Sequence, residues 1–343
     1  MEWKEVTLGE IGTIVGGATP STKNTSFYDG NIPWLTPKDL SVNGNKYIFR
    51  GERNITEAGF KSCSCKMLPK GSVLFSSRAP IGYVAIVAND MCTNQGFKSV
   101  IPNEETDSEF LYYLLKYNKD NIASQGSGTT FAEVSGKTMK DIEVVVPKEK
   151  EDQRRIASIL SSLDRKIELN NKINADLEEM AQAIFKNWFV DFEPFKDSKF
   201  VDSELGMIPE GWKVGCLGDI AEITSGKRPP KKSKDKTKEL FIPLIGASDI
   251  MGFTSDVLYE RPILVIGRVG PHGVVQRFQE KCWPSDNTLV IESRYYNYVY
   301  QLLKGIDYSA INRGSTQPLI TQTDVKNTDV IIAPENVLKE YEL

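Results

Sequence analysis

Histidine is almost missing from this chain: His272 is the only one. A serine or cysteine triad needs an imidazole base and polyhistidine metal centres need several, so both chemistries are set aside. His272 itself, in Gly270-Pro271-His272-Gly273, reads as a turn residue. Cysteine is scarce too. Cys63, Cys65, Cys92, Cys216 and Cys282 form an odd, scattered set with one close pair, unlike a disulfide framework or the Cys-x-x-Cys spacing of a zinc site. No apolar run reaches the ~18 residues of a membrane span, and Met1-Glu2-Trp3-Lys4 opens without a signal peptide's basic and apolar stretch. The expectation is a cytoplasmic protein with no membrane partner. Positive charge is not in excess: the formal net charge is −4, against the basic surplus of many dedicated DNA-binding modules.

Nucleotide and methyl-donor signatures are absent as well. Ser135-Gly136-Lys137-Thr138 resembles the end of a phosphate-binding loop, but the earlier glycine of that motif falls on Phe131. No Asn-Pro-Pro-Tyr or Asp-Pro-Pro-Tyr run marks adenine methylation, and isolated Glu-x-Lys triplets such as Glu2-Trp3-Lys4 are too common to mark a nuclease. The chain reads as a binder with no catalytic residue, metal or cofactor of its own.

What the sequence does contain is itself, twice. Trp3-Lys4 followed by Leu8-Gly9-Glu10-Ile11, Ile14 and Gly17 returns as Trp212-Lys213 followed by Leu217-Gly218-Asp219-Ile220, Ile223 and Gly226. Ile32-Pro33 and Asp39 return as Ile242-Pro243 and Asp249, and each copy closes with a Gly-Ser, at Gly126-Ser127 and Gly314-Ser315, running on to Pro147 or Pro334. Solenoid repeats recur every ~20–50 residues, so a period this long is a duplicated domain. Length gives the same count of two domains, each large enough for its own core.

Between the copies the apolar positions step by four and three through Ile156, Leu160, Leu163, Ile167, Asn170, Asn174, Leu177, Ala181, Ile184 and Trp188. That is a heptad seam, and it predicts a coiled-coil helix on the order of 50 Å long. Asn170 and Asn174 would cost stability in the seam and fix register and partner. Glu149, Glu151 and Asp152 suit the positive end of the helix dipole. Glu335 to Leu343 reads as the first turns of a second such helix, whose remainder the sequence does not contain.

Each copy mixes short β-rich runs, such as Val73-Leu74-Phe75 and Leu264-Val265-Ile266, with one helix, around Phe110 to Leu115 or Tyr298 to Leu303. The fold class is therefore mixed α/β (α+β): two duplicated domains separated by a long coiled-coil helix. The expected boundaries are 1–147, the helix at 148–193, a linker at 194–211, 212–334, and the start of a second helix at 335–343. Polar loops punctuate both copies. In the first they hold Thr19, Ser21, Thr22 and Lys23; Ser76, Ser77 and Arg78; Asn94 and Gln95; and Ser127, Thr129 and Thr130. In the second they hold Lys227, Arg228, Lys231 and Lys232; Arg268; Asn287; and Arg313, Ser315, Thr316 and Gln317. Hydroxyls, amides and ammonium groups suit phosphates, and forked Arg, Asn and Gln side chains suit base edges, so these are the candidate DNA contacts. The run at 227–238 carries seven positive side chains and one negative, a local exception to the acidic average.

The Trp-Lys-x-x-x-Leu-Gly-Glu/Asp-Ile opening of both copies, Gly206-Met207-Ile208-Pro209-Glu210-Gly211-Trp212 before the second, and Gln153-Arg154-Arg155-Ile156-Ala157 with Leu163-Asp164 and Ile167 in the helix resemble type I restriction-modification specificity subunits. The resemblance covers essentially the whole chain. It implies two target-recognition domains, each reading half of a split double-stranded DNA sequence, and two antiparallel helices that hold them at a fixed spacing and dock modification subunits. It places S-adenosylmethionine with those modification subunits, and ATP and Mg with partner restriction subunits. A complete family member carries a second helix after Pro334, so the resemblance also implies pairing with another copy or a helix supplied in trans. The alternatives are a specificity chain whose partner both methylates and cuts, and a coiled-coil scaffold that binds proteins.

Overall fold

The computed structural model describes residues 1–78, 80–127, 132–269, 273–313 and 319–343. It divides into two compact units, Met1–Lys172 and Ile173–Leu343.

In the first unit the opening strand Trp3–Thr7 pairs antiparallel with Glu143–Pro147, Trp3 opposite Pro147, so the repeat closes on its own beginning. A five-stranded sheet runs in the order Gly12–Gly16, Lys98–Pro102, Val73–Phe75, Val84–Val87, Tyr47–Ile48. Beside it stands a three-stranded sheet of Arg53–Ile55, Tyr28–Leu35 and Cys92–Thr93. Helix Ser108–Tyr117 starts at Asp107, whose carboxylate accepts from the Phe110 N–H at 3.0 Å. Its apolar face, Phe110, Leu111, Leu114 and Leu115, packs with Val73, Phe75, Ile86 and Val100 of the large sheet.

The second unit repeats the plan. Lys213–Cys216 pairs antiparallel with Asp329–Ile332. A four-stranded sheet runs Glu222–Ser225, Thr288–Glu292, Ile263–Gly267, Val275–Phe278, and a three-stranded one runs Ile250–Thr254, Ile242–Ile245, Trp283–Pro284. Its two larger sheets repeat those of the first unit without the edge strand Tyr47–Ile48, the unit adds a strand pair, Phe200–Val201 with Ile208–Pro209, and helix Tyr296–Gly305 takes the place of Ser108–Tyr117. Ser135-Gly136-Lys137-Thr138 opens the short helix Gly136–Asp141, with the Ser135 hydroxyl accepting from the Thr138 N–H at 3.0 Å. Ordinary helix capping thus accounts for that motif.

One helix, Lys150–Phe189, contributes to both units, and at ~1.5 Å per residue it is about 60 Å long. At its start Gln153, Ala157 and Ser161 are buried in the first unit. The Gln153 amide donates to the carbonyls of Pro147 and Glu105 at 3.2 and 3.3 Å and accepts from the Asp107 N–H at 2.9 Å. Near its end Phe185 and Phe189 pack in the core of the second unit. These inward residues are not the heptad seam. Of the seam, Ile156, Leu160, Ala181 and Trp188 are half-buried, whereas Leu163, Ile167, Asn170, Asn174, Leu177 and Ile184 are exposed. Ile156 packs against the first core and Trp188 against the second, so the 4–3 seam meets the two units at its ends and is exposed through its middle. Glu335–Tyr341 forms a short helix whose Tyr341 ring stands 5.0 Å from that of Phe189.

Candidate nucleic-acid interface

In the first unit the loop after strand Gly12–Gly16 folds onto residues 93–96. Gly17 is demanded there by space, since a Cβ would lie 2.1 Å from the Thr93 carbonyl oxygen and 2.2 Å from that of Asn94. The Ala18 N–H donates to the Thr93 carbonyl at 2.9 Å, the Trp34 indole N–H to the Ala18 carbonyl at 3.0 Å, and the Tyr28 hydroxyl to the Pro20 carbonyl at 2.7 Å. Across this junction the Thr19 hydroxyl donates to the side-chain oxygen of Gln95. Asn94 is half-buried and its side chain accepts from the Gly96 N–H at 2.8 Å. Gln95, Ser21, Thr22 and Lys23 are exposed. Two loops far apart in sequence thus present hydroxyl, amide and ammonium groups together.

Ser76 and Ser77 require correction as DNA contacts, because both are fully buried. The Ser76 hydroxyl donates to the Pro80 carbonyl and accepts from the Tyr83 N–H, each at 2.8 Å, and the Ser77 hydroxyl donates to the Gly96 carbonyl at 3.3 Å. A hydroxyl committed to buried backbone shapes the loop and does not reach solvent. Arg78 is half-buried and Ser127 exposed, and both bridge through backbone to Glu133. Thr129 and Thr130 lie outside the described residues.

The second unit builds the same junction from different side chains. A Cβ on Gly226 would lie 2.1 Å from the Ser285 carbonyl oxygen. The Lys227 N–H donates to the Pro284 carbonyl at 3.0 Å, and the Trp283 indole N–H to the Lys227 carbonyl at 2.7 Å. Lys227, Arg228, Lys231 and Lys232 are exposed, giving this loop more positive charge than its counterpart, where Lys23 is the exposed cation. The Arg268 N–H donates to the Asn287 carbonyl at 2.8 Å; Asn287 is exposed and Arg268 half-buried. Arg313 is exposed, but its guanidinium is already engaged by the Asp324 carboxylate at 2.9 Å. Burial alone would raise the Asp324 carboxyl, yet hydrogen bonds from Thr321 and Arg313 hold it below its ordinary range, so the pair persists at neutral pH. Ser315, Thr316, Gln317 and His272 lie outside the described residues.

Sequence reasoning passed over a pocket of about 380 Å³ beside this junction, lined in part by Ser248, Asp249, Met251, Ser285 and Asn287. Ser248 and Asp249 follow strand Ile242–Ile245 in the short run Gly246-Ala247-Ser248-Asp249, which has no Thr, Asn, Gln, Lys or Arg like those that drew attention to other loops. Only the returning Ile-Pro and Asp of the repeat could have signalled them. Among the described residues no group of three or more His, Cys, Asp or Glu side chains is placed to hold a metal ion.

Comparison with known proteins decides what these paired junctions belong to. The family model of the type I restriction modification DNA specificity domain matches the chain over residues 1–179 and again over 209–337. The chain belongs to this family. Within it, the chain is 38% identical to the MjaIX specificity subunit of Methanocaldococcus jannaschii over 99% of its own length and 85% of that protein. It is 32% identical to the HindI specificity subunit of Haemophilus influenzae over 66% of its length and 48% of that protein. The fold is shared with the type I restriction-modification S subunit from M. genitalium, at a TM-score of 0.63 and 16% identity, covering 100% of this chain and 87% of that one. A type I DNA specificity chain recognises rather than catalyses, in keeping with a site made of loops that offer hydrogen bonds and charge. Among the described residues no helix is long and apolar enough to cross a membrane.

Proposed function

We propose that this chain is the sequence-reading subunit of a cytoplasmic type I restriction-modification complex, with its two units each reading one half of a split double-stranded DNA target. The observation that carries this reading is the duplication at the level of the site. The DNA specificity model matches twice, once on each unit, and each match holds a glycine pressed onto the strand segment that follows Cys92 or Trp283. The repeat keeps the scaffold and varies the exposed side chains, as two readers of different bases would. In this reading Thr19, Lys23 and Gln95 serve the first half-site and Lys227, Arg228, Lys231, Lys232 and Asn287 the second. The exposed stripe of the long helix, with Leu163, Ile167 and Leu177 near its middle, docks the partners. Modification subunits would bring S-adenosylmethionine and methylate adenine; restriction subunits would bring ATP and Mg.

The test is equilibrium binding of double-stranded DNA to the chain assembled with its modification subunits. Affinity is expected to fall steeply with salt, because each phosphate contact releases counterions with a log–log slope of about −0.9 per contact on duplex DNA. Replacing Lys231 and Lys232 with Ala should shallow that slope. Binding that is flat across salt would favour a protein-binding scaffold instead.

A further inference from the structure

The repeat brings an aspartate back at the same place in both units, after Ile32-Pro33 and after Ile242-Pro243, and the two are used differently. Asp39, 8% exposed, caps helix Pro37–Asn43: one carboxylate oxygen accepts from the Thr36 N–H and hydroxyl at 2.7 and 2.8 Å, and the other from the Glu52 N–H at 2.7 Å. The second unit has no helix at this place. Strand Ile242–Ile245 turns through Gly246-Ala247-Ser248-Asp249, where the Gly246 N–H donates to the Asp249 carbonyl at 2.8 Å, straight into strand Ile250–Thr254. Asp249 is exposed. One of its carboxylate oxygens accepts from the Ile250 N–H at 2.7 Å, and among the described residues the other has no partner. The facing segment differs in the same sense. The Asn94 N–H donates to the Leu35 carbonyl at 2.8 Å and the Ser285 N–H to the Ile245 carbonyl at 3.0 Å, so Ser285 stands where Asn94 does. The Asn94 side chain is satisfied by the Gly96 N–H, whereas the hydroxyl of Ser285, a residue 3% exposed, has no partner. Nor has the Nε of Arg268, whose backbone N–H donates to the Asn287 carbonyl. Buried polar atoms are nearly always satisfied within a fold, so two orphans beside the pocket of about 380 Å³ that Asp249, Ser285 and Asn287 line mark a place completed from outside. The basic run lies alongside, since Ser233 and Phe253 exchange backbone hydrogen bonds of 2.9 and 2.8 Å on the strand that leaves Asp249.

A carboxylate among cations that suit phosphates is repelled by DNA unless a donor meets it, and at a base edge it accepts but cannot donate. In the major groove guanine N7 and O6, adenine N7 and thymine O4 would face it as acceptors; cytosine presents the N4 donor and no acceptor. We propose that Asp249 is a specificity-determining residue of the second unit and reads a C·G base pair, its free carboxylate oxygen accepting from the cytosine N4 amino group in the major groove; this rests on the DNA-reading function proposed above. Met251, exposed on the same pocket, offers an apolar side chain to the cytosine C5–H edge. The Ser285 hydroxyl, directly or through a bridging water, takes a polar atom of the same pair. The first unit does not read in this way from the matching place, because both oxygens of Asp39 are held by Thr36 and Glu52.

The test maps methylated adenines in cells that co-express the full chain with its modification subunits, for the wild type, Asp249→Ala and Asp249→Asn. Equilibrium binding of the purified complexes is then measured on duplexes that carry the mapped motif with single base pairs changed. The wild-type motif should hold a C·G pair that Asp249→Ala leaves unspecified, the preference for C·G over A·T there falling about tenfold while every other position stays as it was. Asp249→Asn can keep the bond to the Ile250 N–H, so it decides the matter if Asp249→Ala fails to fold. Its amide suits adenine N6 and N7 and should move the preference at that pair from C·G to A·T. Ser285→Ala should weaken binding of the same motif with no drop in melting temperature, since the fold gives that hydroxyl no bond to lose. Relaxation at an A·T pair, relaxation at no pair in either Asp249 variant, or an affinity loss equal for all sequences overturns the role of Asp249. A Ser285→Ala complex that binds as the wild type does overturns the share given to Ser285. A wild type with no split motif counts against the proposed function and takes this inference with it, whereas a split motif indifferent to Asp249 overturns the inference and leaves that function standing.

Discussion

The two ends of the long helix solve the same docking problem with opposite chemistry. In the first unit the seat is polar. Lys46, only 10% exposed at its side chain, donates to Glu109 at 2.7 Å and to Ser161 of the helix at 2.6 Å, and its ammonium stands 4.9 Å from the centre of the Tyr113 ring. The Tyr113 hydroxyl in turn donates to Asp164 at 2.5 Å. In the second unit the seat is aromatic. Phe189 lies 4.6 Å from the Tyr298 ring and 5.8 Å from that of Trp212, and Trp212 stacks edge-on with Phe192 and Phe195. The repeated tryptophan records the contrast: Trp212 is 7% exposed and Trp3 50%. An apolar seat gains from area removed from water and tolerates imperfect geometry. A buried polar network is stable only while every member is satisfied, and in return it holds one register.

That contrast can be broken most severely at the aromatic end. Phe189→Ala should destabilise the second unit by about 3–5 kcal/mol, the usual range for emptying a buried phenyl site. Hydrogen exchange should rise through 213–216 and 329–332 and stay unchanged in the first unit. At the polar end, Lys46→Met should cost about 1.5–3 kcal/mol by leaving Glu109 and Ser161 without their charged donor. Adding Glu109→Leu should restore much of that loss, because an apolar replacement of a buried pair is often neutral or better. A double variant as unstable as the single one would show that the network does more than satisfy itself.

Acid should separate the two ends with a smaller effect. Burial would raise the Glu109 carboxyl, but hydrogen bonds from Lys46, Ser161 and Tyr47 outweigh it and hold it down at about 2, against an ordinary 4.5. A carboxyl lowered on folding stabilises the fold above its ordinary value, and that contribution fades as pH falls from about 4.5 towards 2. The aromatic contacts do not titrate there, although Glu178, which binds Lys304, is also lowered, the hydrogen bond from Lys304 leading the groups that outweigh its burial. Circular dichroism over this window should show the first unit loosening ahead of the second. The smallest effect belongs to the exposed middle of the heptad seam. Leu177→Gln, at a position 57% exposed, should change the stability of the isolated chain by no more than about 0.5 kcal/mol, read by urea unfolding.

The duplication was legible because Trp-Lys, Leu-Gly and the closing prolines mark places where backbone geometry recurs, and the strand pairs Trp3–Thr7 with Glu143–Pro147 and Lys213–Cys216 with Asp329–Ile332 are those places. The long helix was legible from its apolar spacing. The face it docks was not, since Ser161 meets Lys46 and Glu109 and Ala157 joins the apolar cluster around Leu111 and Val146 across long stretches of chain, and no local pattern encodes such a partner. Loop composition singled out Thr19, Gln95, the Lys227 run, Ser76 and Ser77 alike; it could not tell that Ser76 and Ser77 are buried, because a hydroxyl closing a buried turn and one facing solvent look alike in sequence.

The most direct test of two independent readers is to map methylated adenines across the DNA of cells that co-express this chain with its modification subunits, and to repeat the map with Thr19 and Gln95 both changed to Ala. The account predicts a motif of two short half-sites separated by unread bases, with the double substitution relaxing one half-site and leaving the other intact. A single continuous motif, or relaxation of both half-sites together, would contradict it.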